Sequence, residues 1–489
     1  MRLRFFLPGS LLLAGLLTTG VPPAAATDGL PNRFALKTIQ TPAALLGVAY
    51  SPDGLRVATC GLGRDVVVWD VASGQPALTL KGHTDDVVAV AFSPNGRYLA
   101  SGGVDKALIL WDAITGELLR RTTDHADYVR DVAFSPDSKK LASAGWDGQA
   151  LVFDTFGGQR LATLRAGGAV AAANAAPAPA GAKAAKGRTG NVTSVAFSPD
   201  GRELLTASGD HCLRTWNTAT WQLTATLAGH TDEVWDARYA PNGRYAVSGA
   251  WDNTARVWDL AQGQCARIVP AHTSDVWAAA FSPDGQLIAT GGGDRRVNVW
   301  DAALGSLVYA VSGADHTAEV ENLAFSPDGR TLASVSRDGS LRFWRVPTPD
   351  DRIRAYADHE IEKWATKGPY EKSEAYQRRL AQRFERLQEL QAEGRERVLA
   401  GFGTTANWQS FALGTYNADT EAFSLTSGLW PGLFHVKVAP KEAARFRENF
   451  GTGTFGTPEL VFEDGAIGLK EVVVAVPLGA QPHDFELTR

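Results

Sequence analysis

Cysteine, methionine and an excess of basic charge are what this chain has least of. Its 489 residues include 3 Cys, 1 Met and 9 His. Cys60, Cys212 and Cys265 are odd in number, far apart and without CxxC spacing, which argues against a disulfide scaffold and against a zinc site. Small, half-buried thiols in strands are the expected role. With 48 Lys+Arg against 53 Asp+Glu the net charge is −5, so the chain lacks the cationic surplus of a protein held on a polyphosphate backbone and no nucleic-acid partner is expected. Walker, HExxH and GxSxG motifs are missing, and with them the sequence grounds for a metal, a cofactor or a catalytic residue. What is present is 44% hydrophobic residues, ample for a core and, at roughly 100–200 residues per domain, for two to four domains.

The N-terminus reads as an address. Arg2 and Arg4 precede an apolar run from Phe5 to Leu17, and the small residues of Val21–Ala26 suit a signal peptidase. Residues 1–26 are therefore expected to be a signal peptide, with an uncleaved anchor as the rival. No later stretch is long enough to span a bilayer, so no membrane span is expected after cleavage.

One phrase then recurs seven times, with prolines at Pro52, Pro94, Pro136, Pro199, Pro241, Pro283 and Pro327 in Tyr/Phe-Ser/Ala-Pro-Asp/Asn-Gly/Ser. The intervals are 42, 42, 63, 42, 42 and 44 residues, and an aromatic follows each proline by 17: Trp69, Trp111, Phe153, Trp216, Trp258, Trp300 and Trp344. Each unit holds four short alternating runs separated by turn residues, the pattern of a four-stranded antiparallel blade. A lone blade cannot bury both faces, so the blades must pack in a ring.

The residues carrying this pattern closely resemble the WD40-repeat family: Trp-Asp at 69–70, 111–112, 258–259 and 300–301, and Gly-His at 82–83 and 229–230. The resemblance covers about residues 34–346 and implies an all-β seven-bladed propeller over 33–347. Phe153-Asp154, Trp216-Asn217 and Trp344-Arg345 depart from the dipeptide. Blade one lacks the histidine and carries Gly63 at the turn-aspartate position, and blade four has Arg188 for histidine, so these two blades are expected to be the least braced. Ala35–Ile39 aligns with an outermost strand that has no blade of its own, so it should complete blade seven and close the ring.

His83, Ser101, Asp105 and Trp111 could suggest a charge-relay hydrolase. The set recurs as His125, Ser143, Asp147; His230, Ser248, Asp252, Trp258; His272, Thr290, Asp294, Trp300; and His316, Ser334, Asp338, Trp344. Five copies of an active site around one ring are implausible. The resemblance implies instead structural tetrads that tie the strands of each blade together.

The resemblance also implies a partner-binding top face, built from residues three and five after the blade histidine and the one before the turn aspartate. Mapped here, it includes Asp86, Tyr128, Glu233, Asp275 and Glu319; Arg130, Trp235, Trp277 and Glu321; and Trp146, Trp251 and Arg337. Exposed indoles beside carboxylates suit a protein or peptide partner with a basic or cation-bearing segment. The alternative is that Trp235 and Trp277 fill the channel mouth or pack against neighbouring blades. The long interval places an Ala/Pro/Gly/Lys-rich insertion, 166–190, on the same face, where a mobile loop is expected.

From Asp351 the repeat stops. Helical periodicity over Ile353–Trp364 and from Tyr370 to Leu399, broken at Gly368-Pro369, precedes strands at Ser410–Tyr416, Ala422–Ser427, Phe434–Val438, Glu459–Glu463 and Val472–Val476, with a helix at Lys441–Phe450. A helical plus α+β C-terminal domain, 351–489, is expected. Its phrases Lys363–Lys372, Leu413–Phe423 and Glu442–Phe450 resemble a tail that follows WD repeats or caspase-like domains in exported bacterial proteins. Asn417–Glu421 resembles a calcium loop but lacks the glycine and distal glutamate, and a turn explains it better. The whole is expected to be an exported, periplasmic or secreted, non-catalytic protein–protein interaction scaffold. The rival is an enzyme or ligand-binding protein whose activity lies in the C-terminal domain.

Overall fold

The computed structural model describes residues 34–167, 190–303, 305–310, 316–366, 371–403, 411–418, 420–427, 433–449, 454–455, 459–463, 466–477 and 482–488. The expected signal peptide, Arg188 and all but the edges of the expected 166–190 insertion lie outside them.

Seven four-stranded antiparallel sheets form the blades of a propeller. In six of them the strands follow chain order from the innermost outward; in the seventh, Ala35–Gln40 pairs with Ser340–Arg345 as the outermost strand. The ring therefore closes by joining its two ends, as the alignment of Ala35–Ile39 predicts, and Gln40 Nε2 donates to the Asp338 carbonyl at 2.7 Å to fasten the seam. Each pair of adjacent blades buries one apolar cluster between them. The aromatic near the end of each third strand is a large element of these wedges, and Trp111, Trp258 and Trp344 are almost wholly enclosed. Burial of so large a side chain is the dominant local stabilisation.

The repeated proline phrase is a turn at one end of each blade. In the first, Ser51 Oγ donates to Asp53 and accepts the Arg56 N–H at 2.9 Å, while Gly54 stands at φ 71°. Glycine holds that left-handed position in six blades, and Ser138 holds it in blade three at φ 60°.

The innermost strand of every blade carries a register shift after its first residue, as between Val129 and Asp131. The extra residue is Leu46, Val88, Arg130, Thr193, Trp235, Trp277 or Glu321. A bulge of this kind re-aims one side chain, and here all of the extra residues but Leu46 line the central channel.

After blade seven the chain enters α1 (Pro349–Ala365), started by a capping box between Thr348 and Asp351. The helix begins at the end of the ring that carries the proline turns. It is held there by Arg352, whose Nη2 meets Asp301 Oδ2 at 2.6 Å with both side chains buried. Helices α2 (Ser373–Ala381) and α3 (Arg383–Gly403) follow where a single helix is expected from Tyr370 to Leu399; the break falls at Gln382, and α2 buries none of its residues but turns Arg379 onto Trp364 of α1 and the Thr366 carbonyl. Helices α1 and α3 share a small core of Ala357, Ile361 and Leu390. A seven-stranded sheet completes the chain around α4 (Ala443–Asn449). It includes two strands the sequence pattern does not announce, Thr454–Phe455 and Pro482–Thr488, and its longest strand runs Ala466–Pro477 rather than Val472–Val476. No helix among the described residues is long and apolar enough to cross a membrane.

Candidate functional site

Two sets of polar residues compete for a functional role. The first is the recurring His/Ser/Asp/Trp constellation. His83 Nδ1 lies 2.9 Å from Asp105, its Nε2 2.8 Å from Ser101 Oγ, and the Trp111 indole N–H donates to the same hydroxyl at 2.8 Å. Blade five repeats this with His230, Asp252, Ser248 and Trp258, and blade six with His272, Asp294, Thr290 and Trp300. In blade three His125 reaches Asp147 and Ser143, and Phe153 has no N–H to add. In blade seven His316 reaches Ser334 at 2.8 Å, with Asp338 at 3.4 Å and Ser340 Oγ at 3.0 Å from its Nδ1.

A carboxylate can only accept, so Nδ1 carries the proton, Nε2 accepts from the hydroxyl, and the hydroxyl accepts from indole. Burial holds His83 and His230 below the ordinary histidine value, keeping them neutral. Burial would raise Asp105 and Asp147, but the hydrogen bonds from histidine and from backbone N–H groups outweigh it and hold both low. Ser101, Ser143, Ser248, Thr290 and Ser334 are all 0% exposed, which seals these hydroxyls from any substrate.

Blade four differs from the expectation that it is poorly braced. Arg214, from its third strand, donates to Asp210 at 2.6 Å and to Ser208 at 2.9 Å, while Trp216 donates to Thr206 at 3.0 Å. A buried guanidinium thus holds the turn aspartate from the other side. Blade one keeps only the Trp69 to Thr59 bond of the four-residue pattern, at 2.8 Å.

The second set surrounds the channel mouth. In six blades the carbonyl of the residue three after the histidine position, Asp86, Tyr128, Asn191, Glu233, Asp275 or Glu319, accepts the N–H of the residue before the turn aspartate, at 2.8–3.1 Å. This pairs the first and third expected groups blade by blade and holds them at one end of the ring. Five aromatics meet there: Tyr128 stacks on Trp146 at 5.3 Å, Trp235 stacks on Trp251 at 5.0 Å, and Trp277 meets the edge of Trp235 at 4.8 Å, with Trp146 at 6.3 Å.

Three of the residues expected on an exposed face are buried. Trp235 is 7% exposed, enclosed by the other three indoles and by Arg130, whose guanidinium lies 4.8 Å from its ring centroid. Glu321 is 3% exposed and ion-paired to Arg337, which also lies 5.9 Å from the Trp277 ring; Glu233 is 8% exposed. Trp235 and Trp277 do line the channel mouth, the alternative weighed from the sequence. They do so as one packed cluster, with the protein's own arginines over two of the rings. Asp86, Asp275, Glu319, Trp146, Trp251, Trp277, Tyr128 and Arg130 stay half-buried. Burial, with Asp232 close by, pushes the Asp275 carboxyl up.

Below the mouth the channel holds about 480 Å³. Its wall carries an ion network that sequence reasoning missed. Arg238 donates to Asp131 at 2.8 Å and lies 3.2 Å from Asp236, the Ser194 hydroxyl stands between the two carboxylates at 2.9 Å and 3.1 Å with one proton to give, and Asp236 accepts the Ala279 N–H at 3.1 Å. Blades three to six are joined by it. The signal was available: Arg238 stands where every other repeat has alanine, and Asp131, Ser194 and Asp236 stand where blades one, two and six have Gly47, Ala89 and Ala278.

Among the described residues no group of His, Cys, Asp or Glu is placed to hold a metal ion. A search of the curated proteins finds no match. The family model for the WD domain, G-beta repeat, matches seven times, at residues 35–70, 74–112, 116–154, 183–217, 221–259, 263–301 and 306–345. Repeats of this kind generally mediate protein–protein interaction, and their propellers are typically non-enzymatic scaffolds. With more than half of its length matched by seven repeats that coincide with seven blades, the chain belongs to the WD40-repeat family.

Proposed function

We propose that this protein is an exported, non-catalytic scaffold that takes a protein or peptide segment on the face around its channel mouth. The observation that carries this is the aromatic cluster of Tyr128, Trp146, Trp235, Trp251 and Trp277. Blades one and two place Leu46, Val88 and Val104 at the equivalent positions, so blade folding does not require indole there. Large aromatics at a half-buried mouth supply contact area at low entropic cost, the property of interaction hot spots. Asp86, Asp275 and Glu319 stand outside the cluster and favour basic residues in the segment. Arg2, Arg4 and the apolar run Phe5–Leu17 support export, and the net charge of −5 speaks against a nucleic-acid partner.

The test is affinity capture from envelope extract with wild type, Trp277→Ala and Trp146→Ala, each first shown to melt as wild type. Each substitution should weaken capture by about 2 kcal/mol, roughly thirtyfold, as loss of a half-buried aromatic anchor. Retention of every partner by the double variant, with loss on removing residues 351–489, would place the binding site in the C-terminal segment.

A further inference from the structure

Charges along the channel and at its mouth are unevenly matched. Arg238 is accepted by Asp131 and Asp236, and Arg337 by Glu321. Arg130 is different. Its guanidinium carries five N–H donors, lies against the Trp235 ring and meets no carboxylate or other hydrogen-bond acceptor among the described residues. The same wall holds two further donors without acceptors among the described residues: the indole N–H groups of Trp235 and Trp277, both enclosed. Thr193, the neighbouring bulge residue, spends its hydroxyl proton on the Val234 carbonyl at 2.6 Å.

We propose that this mouth receives a carboxylate, the anionic end or an acidic side chain of the bound segment, paired with Arg130. The inference rests on the peptide-binding reading above and adds the polarity of the ligand. A basic side chain entering the mouth would meet Arg130 and Arg337, which already cover the faces of Trp235 and Trp277. An entering carboxylate meets an unmatched planar donor fork in a partly desolvated setting, where a charge-assisted bidentate pair is strongest. The basic residues of the segment then fall on the outer acids, Asp86, Asp275 and Glu319. Carboxylate inward and cation outward is an arrangement that uses both charge zones.

Three acetylated tetrapeptides test this on the full chain by calorimetric titration at low salt. They are Lys-Gly-Leu-Leu with a free C-terminal carboxylate, the same sequence as its amide, and Lys-Gly-Glu-Leu amide. At least one carboxylate peptide should bind about tenfold or more tightly than the first amide, and whichever does so identifies a chain terminus or a side chain as the source. Arg130→Gln should bring the difference below about twofold, and Arg130→Lys, which keeps the charge without the fork, should leave an intermediate preference. If Arg130→Gln melts below wild type, the Arg130→Lys result decides. Equal binding of acid and amide, an undiminished preference in the variants, or no binding of any peptide at millimolar concentration overturns the proposal. Capture of a protein partner that is lost in Trp277→Ala but unchanged in Arg130→Gln would overturn it while leaving the peptide-binding face in place; capture unchanged in both would overturn the face as well.

Discussion

Replacing His230 by alanine isolates what one tetrad contributes. In the native blade the imidazole bridges Asp252 at 2.8 Å and Ser248 at 2.7 Å, and the Trp258 indole donates to the same serine at 2.8 Å. Ser248 and Trp258 are both 0% exposed, so water cannot replace the lost partner without entering the wedge. Asp252 keeps the N–H groups of Thr231 and Thr254 and is spared the larger penalty. An orphaned buried hydroxyl costs about 1–3 kcal/mol, and the space left by the ring adds about 1 kcal/mol. We expect His230→Ala to cost about 3 kcal/mol, seen as a melting temperature lower by about 6 °C in a chain of this size. Because Ser248 is the group left unsatisfied, His230→Ala with Ser248→Ala should cost less than the two separate losses by about 1 kcal/mol.

The pH dependence follows with a definite sign. Burial holds native His230 below its ordinary 6.5, so as pH falls beneath that value the unfolded chain takes up a proton that the native chain refuses, and stability drops. For Asp252, burial would raise the carboxyl, but the bonds from His230, Thr254 and Thr231 prevail and hold it low, so its contribution is present above the ordinary carboxylate range and fades on further acidification. The gap between wild type and His230→Ala should therefore narrow from pH 7.5 to pH 5.5. Thermal melts monitored by circular dichroism at both pH values measure it. An unchanged melting temperature, strict additivity in the double variant, or a gap that widens on acidification would refute the reasoning.

Three further substitutions address the ring and its attachment. Gly285 stands at φ 70°, so Gly285→Ala should cost about 1–2 kcal/mol by urea unfolding, while Ser138→Gly should be nearly neutral because relief of the left-handed backbone is offset by loss of the bond its hydroxyl accepts from the Asn95 N–H. Arg352→Ala leaves Asp301 buried without its partner's charge and should destabilise by about 3–5 kcal/mol, with faster amide exchange over Pro349–Ala365; unchanged protection of α1 would mean that this ion pair does not hold the helix to the ring.

What could be read from the chain alone was whatever repeats or acts locally. Seven prolines at regular intervals, the aromatics 17 residues on and the orphan run Ala35–Ile39 determined the number of blades, their strand order and the closing strand, because each blade solves the same local problem of turn, strand and wedge. Periodicity failed where no repeat supported it. Thr454–Phe455 and Pro482–Thr488 become strands through pairing with Ala466–Pro477, and α2, which buries none of its residues, separates from α3 at Gln382. At the channel mouth the sequence placed Trp235, Glu321 and Arg130 on one face but could not set their exposure. That depends on bulges in seven inner strands converging on one axis, which brings side chains from four blades within van der Waals reach and lets Arg130 cover Trp235 and Arg337 neutralise Glu321. The Asp131–Ser194–Arg238 network has the same origin: its members are 63 and 44 residues apart in the chain, and only closure of the ring makes them neighbours.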